Sequence, residues 1–208
     1  LSIANHLIHN SPLTTTTIEK PLVVSDKTYP FTTFNSSKNI YTFDDDVLPR
    51  ETLSLELARG CIFKCKFCNY QLTGKKKGTY IRDFSQIKDE MVKTWETHGT
   101  DTFYLTDDTF NDDNDKMESF HKLFTSLPFK PKFSAFLRLD LIDRFPHQAD
   151  LLAEAGLVGA FFGIESLNHR SLKSIGKGMH PDKLKEGLLQ VKKYFNDRIF
   201  YKIKKWKY

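Results

Sequence analysis

From residue 51 onward, apolar and polar positions follow two alternating periods. Leu53, Leu55 and Leu57 alternate with Ser54 and Glu56, the period-two pattern of a strand. Phe84, Ile87, Met91 and Trp95 then recur at helical spacing, with Asp83 as the cap, Gln86 as its capping-box partner and Gly99 as the stop. Residues 102–106 predict a second strand. Met117, Phe120 and Phe124 share the face of a second helix, for which Asp115 and Glu118 form a capping-box pattern. Residues 132–137 predict a third strand, and Pro146 suits the first turn of a helix carrying Ala149, Leu152 and Ala153 and closed by Gly156. Residues 157–164 are nearly all apolar, as expected of a parallel strand buried on both faces. Leu184, Leu188, Val191 and Phe195 mark a last amphipathic helix, and residues 198–203 predict a fifth strand.

This alternation predicts an α/β fold with a parallel sheet and helices packed outside it. In barrels and open sheets of this kind, ligands gather at the carboxyl ends of the strands. Those ends carry a cysteine loop, Asp107-Asp108, Arg138 with Asp140, and Glu165-Ser166. Residues 1–50 read differently. Four consecutive threonines, Asn35-Ser36-Ser37 and scattered prolines break any period, so this stretch is expected to be an irregular segment or linker.

The 208 residues, 39% of them hydrophobic, with eighteen phenylalanines, suffice for one domain with a real core. No apolar run approaches the roughly 20 residues of a membrane span, and residues 1–8 lack the pattern of a signal peptide. The formal charge of +5 is modest. Lysines cluster at Lys75, Lys76 and Lys77 and at Lys202, Lys204, Lys205 and Lys207, runs more often solvated than functional, which leave nucleic acid open as a partner.

All three cysteines fall within eight residues, Cys61-x3-Cys65-x2-Cys68. Such clustering argues against a secreted disulfide framework and for a reducing cytoplasm. Three converging thiolates suit zinc or an iron–sulfur cluster. Zinc would need a fourth ligand, for which His98 or His121 would have to come from outside the loop. A four-iron cluster on three cysteines would leave one iron open to a small ligand. The acidic run at 107–115 lacks the glycine and terminal glutamate of an EF-hand loop, so calcium is disfavoured. No nucleophile-elbow spacing supports a hydrolase.

The cysteine spacing, with Phe67 before the last cysteine and a strand leading into Arg59-Gly60, resembles the signature of the radical S-adenosylmethionine (SAM) superfamily. Leu105-Thr-Asp-Asp-Thr-Phe110 and Phe162-Gly-Ile-Glu-Ser166, followed by Ile175-Gly-Lys-Gly178, resemble the second- and fourth-strand motifs of the branch that includes cobalamin-binding members. The resemblance spans roughly residues 51–197, with boundaries good to a few residues. It implies a partial parallel (β/α) barrel of the radical SAM type over residues 51–208, incomplete at its C-terminal end. The family's six βα units exceed the five strands counted here, and the chain, beginning at Leu1, is expected to be a fragment or processed product.

The resemblance also implies a [4Fe–4S] cluster on Cys61, Cys65 and Cys68, with SAM chelating the open iron. An electron from an external flavodoxin- or ferredoxin-like donor would cleave SAM to a deoxyadenosyl radical that takes hydrogen from a substrate, here unspecified. Carried over residue by residue, Asp107 and Asp108 would meet the SAM amino group, Glu165 and Ser166 would offer polar contacts to SAM, and Phe67 would pack against adenine. Arg138 and Asp140 would serve SAM or substrate. Glu165 has a plainer reading as a salt-bridge partner of Arg138 or Lys177. Cobalamin is expected only if a domain outside this sequence supplies it, since residues 1–50 lack the relevant histidine motif. A second reading is a zinc- or cluster-stabilised binding module without turnover, associated with nucleic acid.

Overall fold

A computed structural model describes residues 46–69 and 80–194. Four strands, β1 (Leu53–Leu55), β2 (Thr102–Leu105), β3 (Lys132–Leu137) and β4 (Leu157–Phe162), pair in parallel in the order of the chain. Between and after them run α1 (Phe84–His98), α2 (Asn114–Thr125), α3 (Leu139–Arg144), α4 (His147–Glu154), α5 (His169–Ser174) and α6 (Pro181–Lys192). A sheet that adds each new strand beside the last winds in one sense, so its crossovers lie on one face. Toward that face point Leu55, Phe103, Leu105, Phe133, Ala135 and Leu137, which pack with Ile87, Met91, Phe120, Phe124 and Leu152 of the helices in one core. The rings of Phe110, Phe120, Phe124 and Phe133 stack and meet edge to face at its centre.

The opposite face carries Ser54, Tyr104, Ser134, Phe136 and Phe161 in register. Phe136 and Phe161, with ring centroids 5.1 Å apart, remain 39% and 52% exposed. The expectation that residues 157–164 are buried on both faces is therefore not met. Helices cover one side only, β4 ends the sheet among the described residues, and Val158 is half exposed with Phe161.

Local signals explain most boundaries. Asp83 caps α1 by accepting from the Ser85 and Gln86 amides, and Gly99 ends it in the left-handed region at φ 68°. Gln86 Oε1 has no partner, so the reciprocal half of that capping box is not made. For α2 the cap is Asp113, which accepts from the Lys116 amide, and Asp115 lies in the first turn. The expected Asp115–Glu118 box is thus displaced by an earlier aspartate that reaches the same orphan donors. Gly156, at φ 98°, lets β4 begin against Pro131, whose carbonyl oxygen would stand 2.1 Å from an added Cβ. The sequence pattern does not predict the short helix α3, because fewer than two turns at Leu139–Arg144 give too little periodicity. The fifth strand, both lysine runs and most of the N-terminal segment lie outside the described residues.

Candidate metal centre

The cysteine loop leaves β1 through a small antiparallel bridge. The Arg82 amide donates to the Leu57 carbonyl at 2.7 Å and the Arg59 amide to that of Tyr80 at 3.0 Å. Gly60, at φ 83°, then turns the chain into the three thiols. Cys61 and Cys65 are buried and Cys68 half-buried, none of them in a disulfide. The Cys68 amide closes the last turn on the Cys65 carbonyl at 3.1 Å.

The ends of the later strands hold this loop. The Lys66 amide donates to the Ile175 carbonyl at 2.9 Å, and Gly176, at φ 70°, leaves only 3.2 Å between an added Cβ and Lys66 Cγ. Arg138, buried at the end of β3, lies 3.8 Å over the Phe63 ring and brings Nη1 to 4.0 Å from Cys65 Sγ. Its fork also grips Asp140 at 3.1 and 2.8 Å and donates to the Lys177 carbonyl at 3.1 Å. Lys177, itself buried, pairs with Glu165 at 2.9 Å and sits 5.6 Å from the Phe67 ring. From β2, Thr109 Oγ1 comes within 3.3 Å of Cys61 Sγ. Burial pushes the Cys61 thiol up, while Thr109 and then the Phe63 amide and Arg138 act against it.

The two neighbouring aspartates have separate surroundings. Asp107 is wholly buried; its Oδ1 accepts from the Leu57 and Ala58 amides at 2.8 and 3.1 Å, and its Oδ2 lies 3.6 Å from Lys116 Nζ. Desolvation pushes its carboxyl up to about 6, against the pull of Lys116 and the two amides. Asp108 is partly exposed beside the Gly60 amide, at the mouth of the cysteine loop, and is raised by burial to a lesser extent. Lys116 is one cation between two carboxyl groups, 2.6 Å from Asp112 Oδ1, a contact close as an ion pair although not aligned as a hydrogen bond. Tyr80, fully buried, donates to Asp112 Oδ2 at 2.7 Å, and its hydroxyl is raised by burial and by that carboxylate.

Glu165 occupies the left-handed region at φ 61°, an uncommon position for a non-glycine residue, in a turn closed by the Ser166 amide on the Ile164 carbonyl at 2.7 Å. Of its two expected ion-pair partners, Lys177 is the one it contacts, and Arg138 goes to Asp140 instead. Ser166 Oγ accepts from the Asn168 amide at 3.0 Å. Thus Phe67, Arg138 and Glu165 meet around the loop, Asp108 stands at its mouth, and Asp107 is engaged beneath it. Thr109, Lys116 and the Asn111–Gln148 clamp are not candidates that the sequence alone identifies. Asn111 bonds the Arg138 amide and carbonyl at 2.8 and 3.0 Å, fixing the end of β3. Only Thr109, inside the 105–110 motif, carried a signal that could have drawn attention.

Among the described residues no three His, Cys, Asp or Glu side chains close around a single ion. His121, one outside ligand considered for zinc, instead contacts Glu154 at 2.8 Å. A four-iron cluster asks for a different donor set, one thiolate to each of three irons. Three cysteines on one loop, with a guanidinium beside one and a hydroxyl beside another, fit an anionic, sulfur-rich group.

The family model of the Radical SAM superfamily matches residues 55–203, more than half of the chain. No curated protein sequence matches it. Among solved structures, the cobalamin-dependent S-adenosylmethionine radical enzyme OxsB, with aqua-cobalamin and S-adenosylmethionine bound, superposes with a TM-score of 0.57 at 20% identity, over 68% of this chain and 22% of that one. The radical S-adenosylmethionine methyltransferase TsrM from Kitasatospora setae gives 0.52 at 19% identity, over 70% and 29%. At such identities the likeness establishes fold alone: the four parallel strands and their helices are part of a β/α barrel of this type. The chain spans less than a third of the length of either structure.

Proposed function

The chain belongs to the radical SAM superfamily, and on that premise we propose that it is an enzyme core holding a [4Fe–4S] cluster and SAM for radical chemistry on a substrate still to be identified. The observation that carries the reading is the loop of three cysteines at the end of β1, ringed by polar groups from the ends of β2, β3 and β4. Cys61, Cys65 and Cys68 would ligate the cluster. When bound, that cluster supplies the low-potential electron for reductive cleavage of SAM, and hence a hydrogen-abstracting radical.

The residues of this chain bind, orient and shield. Arg138, stacked on Phe63, places a fixed positive charge beside Cys65, where it complements an anionic cluster. Asp108 is the better placed of the two aspartates to accept from the SAM ammonium, because Asp107 already accepts from two backbone amides. Asp107 then serves by tying the start of the cysteine loop to β2. Glu165, Ser166 and the exposed Phe67 would line the SAM side of the rim, with Lys177 holding Glu165 in its left-handed turn.

The core is taken as residues 51–208, preceded by a segment at 1–50. No helix among the described residues is long and apolar enough to cross a membrane. Three clustered thiols outside any disulfide favour a reducing compartment, the cytoplasm, with a flavodoxin- or ferredoxin-like electron donor. Cobalamin, which OxsB binds, would take part only if a domain outside this sequence supplied it.

Anaerobic reconstitution with iron and sulfide tests the reading. The expected result is about four irons and four sulfides per chain, and deoxyadenosine on addition of SAM and reductant, with both lost in Cys65→Ala. Tight zinc binding with no cluster would contradict it. A cluster that never cleaves SAM would favour a binding module without turnover.

A further inference from the structure

Thr109 is buried at the end of β2 with its Oγ1 3.3 Å from Cys61 Sγ and 2.9 Å from the Asp108 carbonyl, to which the hydroxyl donates. Either group could supply the proton between sulfur and oxygen in that pair. A cysteine ligated to iron has none to give, so between the two the hydroxyl is then the donor, and its acceptor choice includes the sulfur.

The surrounding loop keeps Thr109 in place. Lys116 Nζ reaches the Thr109 carbonyl at 3.3 Å while held by Asp112 at 2.6 Å and lying over the Tyr80 and Phe110 rings. Across the same peptide group, the Phe110 amide donates to the Phe136 carbonyl at 2.9 Å, tying the next residue to β3. With that peptide group held at both its carbonyl and its amide, Thr109 cannot retreat from Cys61 without breaking buried bonds.

We propose that Thr109 is a positioning residue for the cluster: its hydroxyl, held against Cys61 by the Lys116-anchored loop, donates to the ligating sulfur and makes the cluster easier to reduce. A hydrogen bond withdraws electron density from the sulfur and stabilises the more negative, reduced state, one of the levers that set iron–sulfur potentials. The site is largely dry, so the bond is not replaced by solvent when the hydroxyl is removed. The step concerned is a one-electron reduction by the external donor, with no bond or proton exchanged. The inference rests on the proposed [4Fe–4S] cluster.

The test is the midpoint potential of the reconstituted full chain, followed by electron paramagnetic resonance during a redox titration. Thr109→Val, nearly isosteric, is expected to be about tenfold harder to reduce at a fixed donor potential, a shift of about 59 mV to more negative values for a one-electron couple. Thr109→Ser should keep the wild-type midpoint and Thr109→Ala should follow valine. Equal midpoints in wild type and Thr109→Val, at equal iron content, would overturn the inference. Assembly in Thr109→Ser but in neither valine nor alanine would also overturn it, since the hydroxyl would then be needed to build the cluster. Wild-type protein that takes up no cluster would instead defeat the functional reading itself.

Discussion

Asp107 shows how closely a residue's chemistry depends on what its neighbours have already claimed. Sequence adjacency makes Asp107 and Asp108 equivalent candidates for an ammonium, yet one is spent on the Leu57 and Ala58 amides and the other faces the loop mouth. Side-chain direction at the end of β2 decides this, and the alternation of a four-residue strand was too short to project past its end. The buried carboxyl also carries a pH signature. Its native value of about 6 exceeds its ordinary value of 3.8, so between these limits the native state keeps a proton that the unfolded chain releases. Stability from this group is therefore greatest below the lower limit and declines as pH rises, by about 3 kcal/mol in all once pH exceeds the upper one. The difference between wild-type and Asp107→Asn unfolding free energies, followed by chemical denaturation from pH 4 to 7, should trace that decline. A flat difference would show that Asp107 is ionised in the fold throughout the range.

At the scale of elements, the strand and helical patterns are legible for β1 to β3, α1, α2, α4 and α6 because each buries an apolar face, and β4 is legible as an apolar run although Val158 and Phe161 stay half exposed. Legibility failed where tertiary contact sets the outcome. Short α3 is held by α6 rather than by its own periodicity, and Asp113 takes the α2 cap because it, not Asp115, has extended backbone there. Gly187 makes the α3–α6 contact testable. Its Cα faces the Leu139 carbonyl so closely that a Cβ would lie 2.2 Å from the oxygen. Gly187→Ala gains helix propensity but must push the two helices apart, and is expected to cost about 1–3 kcal/mol. Lys185→Ala, exposed on the same helix, should leave the melting temperature nearly unchanged. Equal melting temperatures for the two variants would mean that α6 does not pack on α3 at this glycine. The same contact matters for the site, since α3 follows directly on Arg138.

On the scale of the whole molecule, four strand ends bring their polar residues to one rim, and this was readable from sequence because parallel βα units place every strand's carboxyl end on the same side. The hooks that hold the cysteine loop were not readable: Lys66 to Ile175, and Arg138 to Lys177, join residues far apart in sequence. They give the loop support from β3 and from the α5–α6 connection, so three cysteines need not position themselves. The central claim is that these cysteines ligate three irons and leave the fourth to SAM. Electron paramagnetic resonance of the reduced, reconstituted chain with and without SAM tests this most directly. The expected result is a cluster signal whose shape changes when SAM is added, and whose intensity is lost in Cys61→Ala, Cys65→Ala and Cys68→Ala alike. A signal that SAM leaves unchanged, or one that survives loss of any of the three cysteines, would contradict it.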